Sequence, residues 1–108
     1  MKKFIFTLIF ILLVSIEGFS QTITVLQINA EWNSNNTMMG LDKLKGCTYK
    51  YGDLEKQSTQ IKNSITSVPT ILLLVDGKPK RQWVGGIDLR ISATREDIQA
   101  EINKYIKQ

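Results

Sequence analysis

One sulfur nucleophile is available in this chain: Cys47 is its single cysteine, and there is no histidine. Those two counts decide much of the chemistry. Ser-His-Asp and Cys-His catalysis both need an imidazole base, so both are excluded. A structural zinc site needs three or four Cys or His ligands and is excluded as well. An internal disulfide needs a second thiol. Cys47 could still act as a lone thiol, in peroxide or glutathione chemistry, or pair with another molecule. A reactive thiolate wants a helix N-terminus or a cationic neighbour, and Lys45 and Lys50 are close in sequence. A cysteine at the start of a strand, however, more often serves as a small buried hydrophobe. The structural role is the favoured one.

Polar side chains also concentrate at Asn33-Ser34-Asn35-Asn36, directly after Ala30-Glu31-Trp32. Glu31 is the only acid in this stretch, and a lone carboxylate beside a tryptophan is not an acid–base pair. There are no paired carboxylates, no phosphate-binding glycine loop and no metal-ligand constellation, so neither a metal nor another cofactor is expected. The plain reading of the loop is structural. Asn and Ser are among the best N-caps, worth about 1 kcal/mol over alanine. Asn33 or Ser34 would then cap a helix that follows.

The elements that must position these residues follow from hydrophobic periodicity. "TITVLQI", Thr22 to Ile28, is β-branched and apolar with little alternation, as in a strand covered on both faces. After the polar loop, Met38, Leu41 and either Leu44 or Lys45 fall at helical spacing and Gly46 is a fair stop. Gly40 weakens that helix by about 1 kcal/mol relative to alanine. "CTYKY", Cys47 to Tyr51, alternates and is expected as a second strand, ended by Gly52-Asp53. Leu54, Ile61 and Ile65 suggest a short helix or a helical turn on a loop. Ile71 to Val75 is a continuous apolar run against Asp76-Gly77, and "KRQWV" resumes after it, which is a β-hairpin. Arg81 and Trp83 share one face of the second arm, Gln82 and Val84 the other. Thr94 with Asp97 resembles a capping box, opening a helix whose stripe is Ile98, Ile102, Tyr105 and Ile106.

The order is therefore β-α-β-α-β-β-α, and with two of its segments it resembles the thioredoxin family. "TVLQINAEWNSNN", Thr24 to Asn36, is similar to the strand that runs into the family's Ala-Glu-Trp-Cys-Gly-Pro-Cys. "SVPTILLLVDGKPKRQWVGG", Ser67 to Gly86, is similar to its Ile-Pro-Thr strand, turn and final strand. The resemblance implies an α/β fold, a minimal thioredoxin-like fold with a mixed four-stranded sheet and helices on both faces. It implies a cis bond before Pro69, although Pro at a strand start is ordinarily tolerated without one. It also places Asn33 and Asn36 where the family has its two cysteines, and Gln27 where it has a buried acid. Thiol–disulfide exchange needs one thiolate to attack and a second thiol to resolve, and an amide does neither. The family's groove for an extended protein segment would then be bordered by Trp32, Asn33, Ser34, Asn35, Asn36, Val68, Pro69 and Thr70. Trp32 itself is weighed slightly towards packing, and Trp83 towards core or edge-strand packing.

The first residues suggest export. Lys2 and Lys3 precede an apolar core from Phe4 to Ile16, with Gly18 and Ser20 before Gln21. That pattern fits a cleaved signal peptide over residues 1–20, leaving a thioredoxin-like domain over 21–108 in the periplasm or outside the cell. The core is short against the about 20 residues of a spanning helix, so membrane attachment arises only if the segment stays uncut. Loss of Lys2, Lys3 and Glu17 lowers the net charge from +4 to +3. Lys78-Pro79-Lys80-Arg81 is the densest basic cluster, and it fits a solvated turn and charged edge strand better than a nucleic-acid patch.

Overall fold

The structure is a computed structural model that describes residues 21–106. The expected signal peptide, 1–20, lies outside the described residues. The chain builds one sheet from β1 (Ile23–Asn29), β2 (Thr48–Asp53), β3 (Thr70–Val75) and β4 (Lys78–Val84), in the order β2-β1-β3-β4. β1 and β2 are parallel, while β1–β3 and β3–β4 are antiparallel. This is a mixed four-stranded sheet with the layout of a minimal thioredoxin-like fold. The two apolar runs take the central places, where the surface on both sides is covered. Among the described residues, no helix is long and apolar enough to cross a membrane.

The core lies on one face. Ile23, Val25, Ile71, Leu73 and Val75 from the central strands pack there with Leu41, Leu44, Ile98 and Ile102. Each of the last two isoleucines is fully buried on α2 (Arg95–Ile106) and contributes roughly 1.5–3 kcal/mol by leaving water. Trp83 and Arg81 pair with Ile71 and Leu73, so they share the α2 side. Arg81 stacks on the Trp83 ring, 5.1 Å from its centroid, and reaches Glu101 at 3.0 Å. The opposite face is covered more thinly. Leu26, Leu72 and Leu74 stay half-buried, and Gln57 reaches over Gly52 towards Leu26. The short α1 (Thr59–Ser64) follows, capped by the Ser58 hydroxyl, which accepts from Ile61 N at 3.3 Å.

The hairpin and the last helix take the expected forms. Asp76 and Gly77 have φ of 55° and 83°, the paired positive values of a type I′ turn. Asp76 also ties down the start of the domain. Its N–H donates to Thr22 O at 2.8 Å, and its Oδ1 accepts from Thr22 N at 2.9 Å. At the start of α2, Thr94 N donates to Asp97 Oδ2 at 2.9 Å and Asp97 N to Thr94 Oγ1 at 3.1 Å. That is a reciprocal capping box with Asp in the acidic place.

The helix expected between β1 and β2 is not an α-helix. Two 3₁₀ helices stand there, Glu31–Asn36 and Leu41–Lys43. Asn33 interrupts the first (φ −114°, ψ 16°), Thr37 is extended, and Gly40 is left-handed with φ 87°. Asn favours side-chain bonds to nearby backbone over the helical ladder, and Asn29 here bonds both Ala30 N and Asn33 O. Leu41 and Leu44 are still buried, so the apolar spacing located the anchors but not the element. Smaller differences follow. Cys47 lies just before β2, and Gly52 and Asp53 continue that strand. Ile106 is half exposed, because the stripe turns outward at the helix end beside Gly46.

Replacing Thr94 by alanine removes one half of the capping box and is expected to cost about 1 kcal/mol. Thermal unfolding followed by circular dichroism should show the midpoint falling by roughly 4–8 °C for a domain of this size.

Candidate functional site

The C-terminal end of β1 and the N-terminal end of β3 lie side by side, with Ile28 opposite Thr70. Both sequence motifs therefore meet at one end of the sheet. The Val68–Pro69 bond there is cis. Gly85, just beyond β4, backs it closely: its N–H donates to Pro69 O at 2.8 Å, and Ser67 Oγ donates to Gly85 O at 3.0 Å. A Cβ at position 85 would sit 2.6 Å from Val68 O, so only glycine fits.

On leaving β1 the chain enters a ladder of amides. Asn29 Oδ1 accepts from Ala30 N at 2.9 Å and from Asn33 Nδ2 at 3.0 Å. Asn29 Nδ2 donates to Asn33 O at 3.0 Å and to Thr37 Oγ1 at 2.9 Å. Asn33 Nδ2 also donates to Leu89 O at 3.2 Å, and Asn33 Oδ1 accepts from Asn36 Nδ2 at 2.8 Å. Asn36 Oδ1 in turn accepts from Arg90 Nε at 3.0 Å. The direction of this ladder is set from its buried end. Ala30 N–H can only donate, so Asn29 must present oxygen to it. Asn33 must then offer nitrogen to Asn29 and oxygen to Asn36. Asn36, its nitrogen committed, must offer oxygen, and a cationic donor answers it.

Asn29 and Asn33 are buried, at 0% and 4% exposure, so the ladder sits where an unpartnered amide would be costly. It leaves no such atom: among the described residues every buried side-chain nitrogen and oxygen has a partner. Gln27 is treated the same way beneath it. Its Oε1 accepts from Met38 N at 2.8 Å, and its Nε2 donates to Met38 O at 3.1 Å and to Tyr49 Oη at 2.9 Å. Burial pushes the Tyr49 phenol above its ordinary pKa, and the Gln27 bond offsets part of that.

The residues expected at this surface divide into two groups. Trp32 is 68% exposed, so it is not a packing residue, and Ser34 and Asn35 are exposed beside it. Asn36 is half-buried. Asn33, Val68, Pro69 and Thr70 are buried, so they support the surface from below. Neither Asn33 nor Ser34 acts as the N-cap: that position falls to Ala30, which makes no side-chain bond. Asn29, Thr37, Leu89 and Arg90 were not anticipated. Asn29, Asn33 and Asn36 do recur at i, i+4 and i+7, the spacing of one helical face, so that part of the ladder left a signal. Arg90 left none.

Cys47 stands apart, half-buried before β2. Burial pushes its thiol above the ordinary value, opposite to the depression that activates a cysteine. No group of three or more Cys, Asp or Glu that could hold a metal occurs among the described residues.

Solved structures that share this fold include thioredoxins. A thioredoxin from Schistosoma mansoni matches with a TM-score of 0.58 at 20% identity, over 79% of this chain and 78% of that one. Thioredoxin-2, described as a component of the malaria parasite protein secretion machinery, matches with a TM-score of 0.57 at 26% identity, over 79% and 84%. An N21Q mutant thioredoxin from Halobacterium salinarum matches with a TM-score of 0.56 at 15% identity, over 80% and 76%. No protein-family model and no curated protein matches the sequence. The fold is thioredoxin-like, carried by a chain with one cysteine.

Two outcomes test the site. Asn29→Ala strands the buried Ala30 N–H and the Asn33 amide, which should cost about 3 kcal/mol, while Asn36→Ala strands one acceptor, Asn33 Oδ1, at the half-buried end and should cost about 1 kcal/mol. Urea midpoints at unchanged slope measure both. For Cys47, iodoacetamide near pH 7 should alkylate the native thiol more slowly than free cysteine. Its rate should keep rising with pH beyond the ordinary thiol value of 9.0 before it levels off, because the raised pKa moves thiolate formation to higher pH.

Proposed function

We propose that the protein is an exported thioredoxin-like domain without dithiol exchange activity, which binds an extended protein segment at the surface around Trp32. The observation that carries this reading is the amide ladder. Asn33 and Asn36 hold the places that the sequence motif assigns to two sulfurs, and both amides are committed to internal bonds. Dithiol exchange needs a nucleophilic thiolate and a resolving thiol, and this site supplies neither. What it retains is a loop fixed by the ladder, with an exposed indole at the end of the sheet that carries the cis Pro69. A large exposed aromatic held on a rigid frame is a favourable anchor for a partner chain.

Among the described residues the Val68 N–H, two residues before the first paired residue of β3, makes none of the backbone hydrogen bonds found outside helices and strands. Main-chain pairing with an extended segment would use that N–H. The export component rests on the N-terminal sequence alone, with its basic start and short apolar core. Chemistry through Cys47 as a single thiol is the weaker reading, because burial disfavours the thiolate.

The purified protein should not accelerate the reduction of insulin disulfides by dithiothreitol above a Cys47→Ser control; clear acceleration would overturn the redox-inactive reading. In Asn33→Cys/Asn36→Cys the two new thiols should oxidise to a disulfide, since the parent side chains already touch at 2.8 Å. A thiol titration before and after reduction measures this, and two thiols that stay free in air contradict it.

A further inference from the structure

Two surface clefts follow the line where residues 35–45 meet residues 90–103. The first, about 220 Å³, is lined by Asn35, Asn36, Thr37, Met38, Arg90 and Ile91, and begins at the Trp32 loop. The second, about 380 Å³, is lined by Lys43, Lys45 and Arg95 with Gln99, Asn103 and one acid, Glu96. Between them Arg95 lies across Gly40: a Cβ there would come within 3.3 Å of Arg95 Nη1, and φ of 87° excludes most other residues in any case. One seam thus joins four cations, Arg90, Arg95, Lys43 and Lys45.

Two carboxylates lie near these cations, Asp88, whose Oδ1 accepts from Arg90 N at 3.1 Å, and Glu96 in the second cleft, but neither closes an ion pair with them. Among the described residues the ion pairs run from Arg81 and Lys104, both to Glu101. None involves the four seam residues. Nor is the seam loosely built. Asn36 Oδ1 holds Arg90 by Nε at 3.0 Å, leaving the terminal nitrogens of the guanidinium for another acceptor. Gln99 clamps the backbone of Lys45 from both sides, at 2.9 and 3.0 Å.

We propose that this seam recognises acidic side chains of the extended segment, so that the partner is an acidic polypeptide running from the Trp32 surface along Arg90, Arg95, Lys43 and Lys45. The proposal rests on the binding reading above and adds the partner's chemistry. A row of cations in excess over nearby acids, beside a peptide surface, attracts carboxylates and disfavours basic chains. Arginine adds bidentate geometry to that attraction.

The test uses two cysteine-free, fluorescently labelled ten-residue peptides, one alternating Glu with Val and one alternating Ser with Val, followed by anisotropy. At low salt the Glu peptide should bind about tenfold tighter, with the difference shrinking by about 0.15 M salt. Lys43→Gln/Lys45→Gln/Arg95→Gln should bring its affinity down to that of the Ser peptide without altering the latter. Arg90→Gln should remove part of the advantage. Trp32→Ala should weaken both peptides alike, and circular dichroism checks each variant's fold. Equal binding of the two peptides overturns the acidic seam; if Trp32→Ala then still weakens both, the binding reading survives alone. A preference for Glu that persists in the triple variant overturns the seam as its source. Binding only to phosphatidylglycerol vesicles replaces the polypeptide with a membrane, and binding to neither peptide removes both readings.

Discussion

The end of the sheet that carries the candidate site depends on one buried donor. Ala30 N–H lies at a position with no exposed surface, where a missing acceptor would cost about 1–3 kcal/mol. Asn29 Oδ1 supplies the acceptor, and that single obligation fixes the orientation of three further groups out to Arg90. A sulfur at position 33 could not take part in such a chain with comparable strength, because thiols are weak donors and acceptors. The amides are therefore a self-contained structural solution for this corner, built from side-chain carbonyls and NH₂ groups.

The same ladder explains why the segment after β1 is not an α-helix. Asn33 O, which a regular helix would offer to a backbone N–H further along, accepts from Asn29 Nδ2 instead. Thr37 is held by its hydroxyl, and Met38 by Gln27 through both its N–H and its C=O. A stretch secured residue by residue to buried side chains does not need the helical ladder. Leu41 and Leu44 then enter the core from a 3₁₀ turn as they would have from a helix. The apolar face is preserved while the backbone path changes.

That distinction marks what was legible in the sequence. The strands, hairpin and final helix are each specified by local pattern: an apolar run against Asp76-Gly77, or a Thr94/Asp97 box ahead of a four-residue stripe. Burial and capping agree there, so pattern and structure coincide. In residues 33–40 they conflict. Leu41 and Leu44 signal a helix, whereas the amides signal competing side-chain bonds, and the outcome rests on Asn29, Gln27 and Tyr49, which lie elsewhere in the chain. The site was legible as a place, since Ala30-Glu31-Trp32 and Val68-Pro69-Thr70 converge on it. Its construction was less so. The link from Asn36 to Arg90 spans 54 positions, and no periodicity reports a contact of that kind.

The Thr22–Asp76 pair, described with the hairpin, sets the orientation of the whole domain. It fastens the incoming chain to the turn of the β3–β4 hairpin, at the end of β1 opposite the amide ladder. Seven strand residues, at about 3.3 Å each, separate the two poles. Anything joined ahead of residue 22, whether a tether, a fusion partner or a solid support, is attached at the far pole. The Trp32 loop is then directed outward, so the domain can be immobilised through its N-terminus without covering the surface it would present.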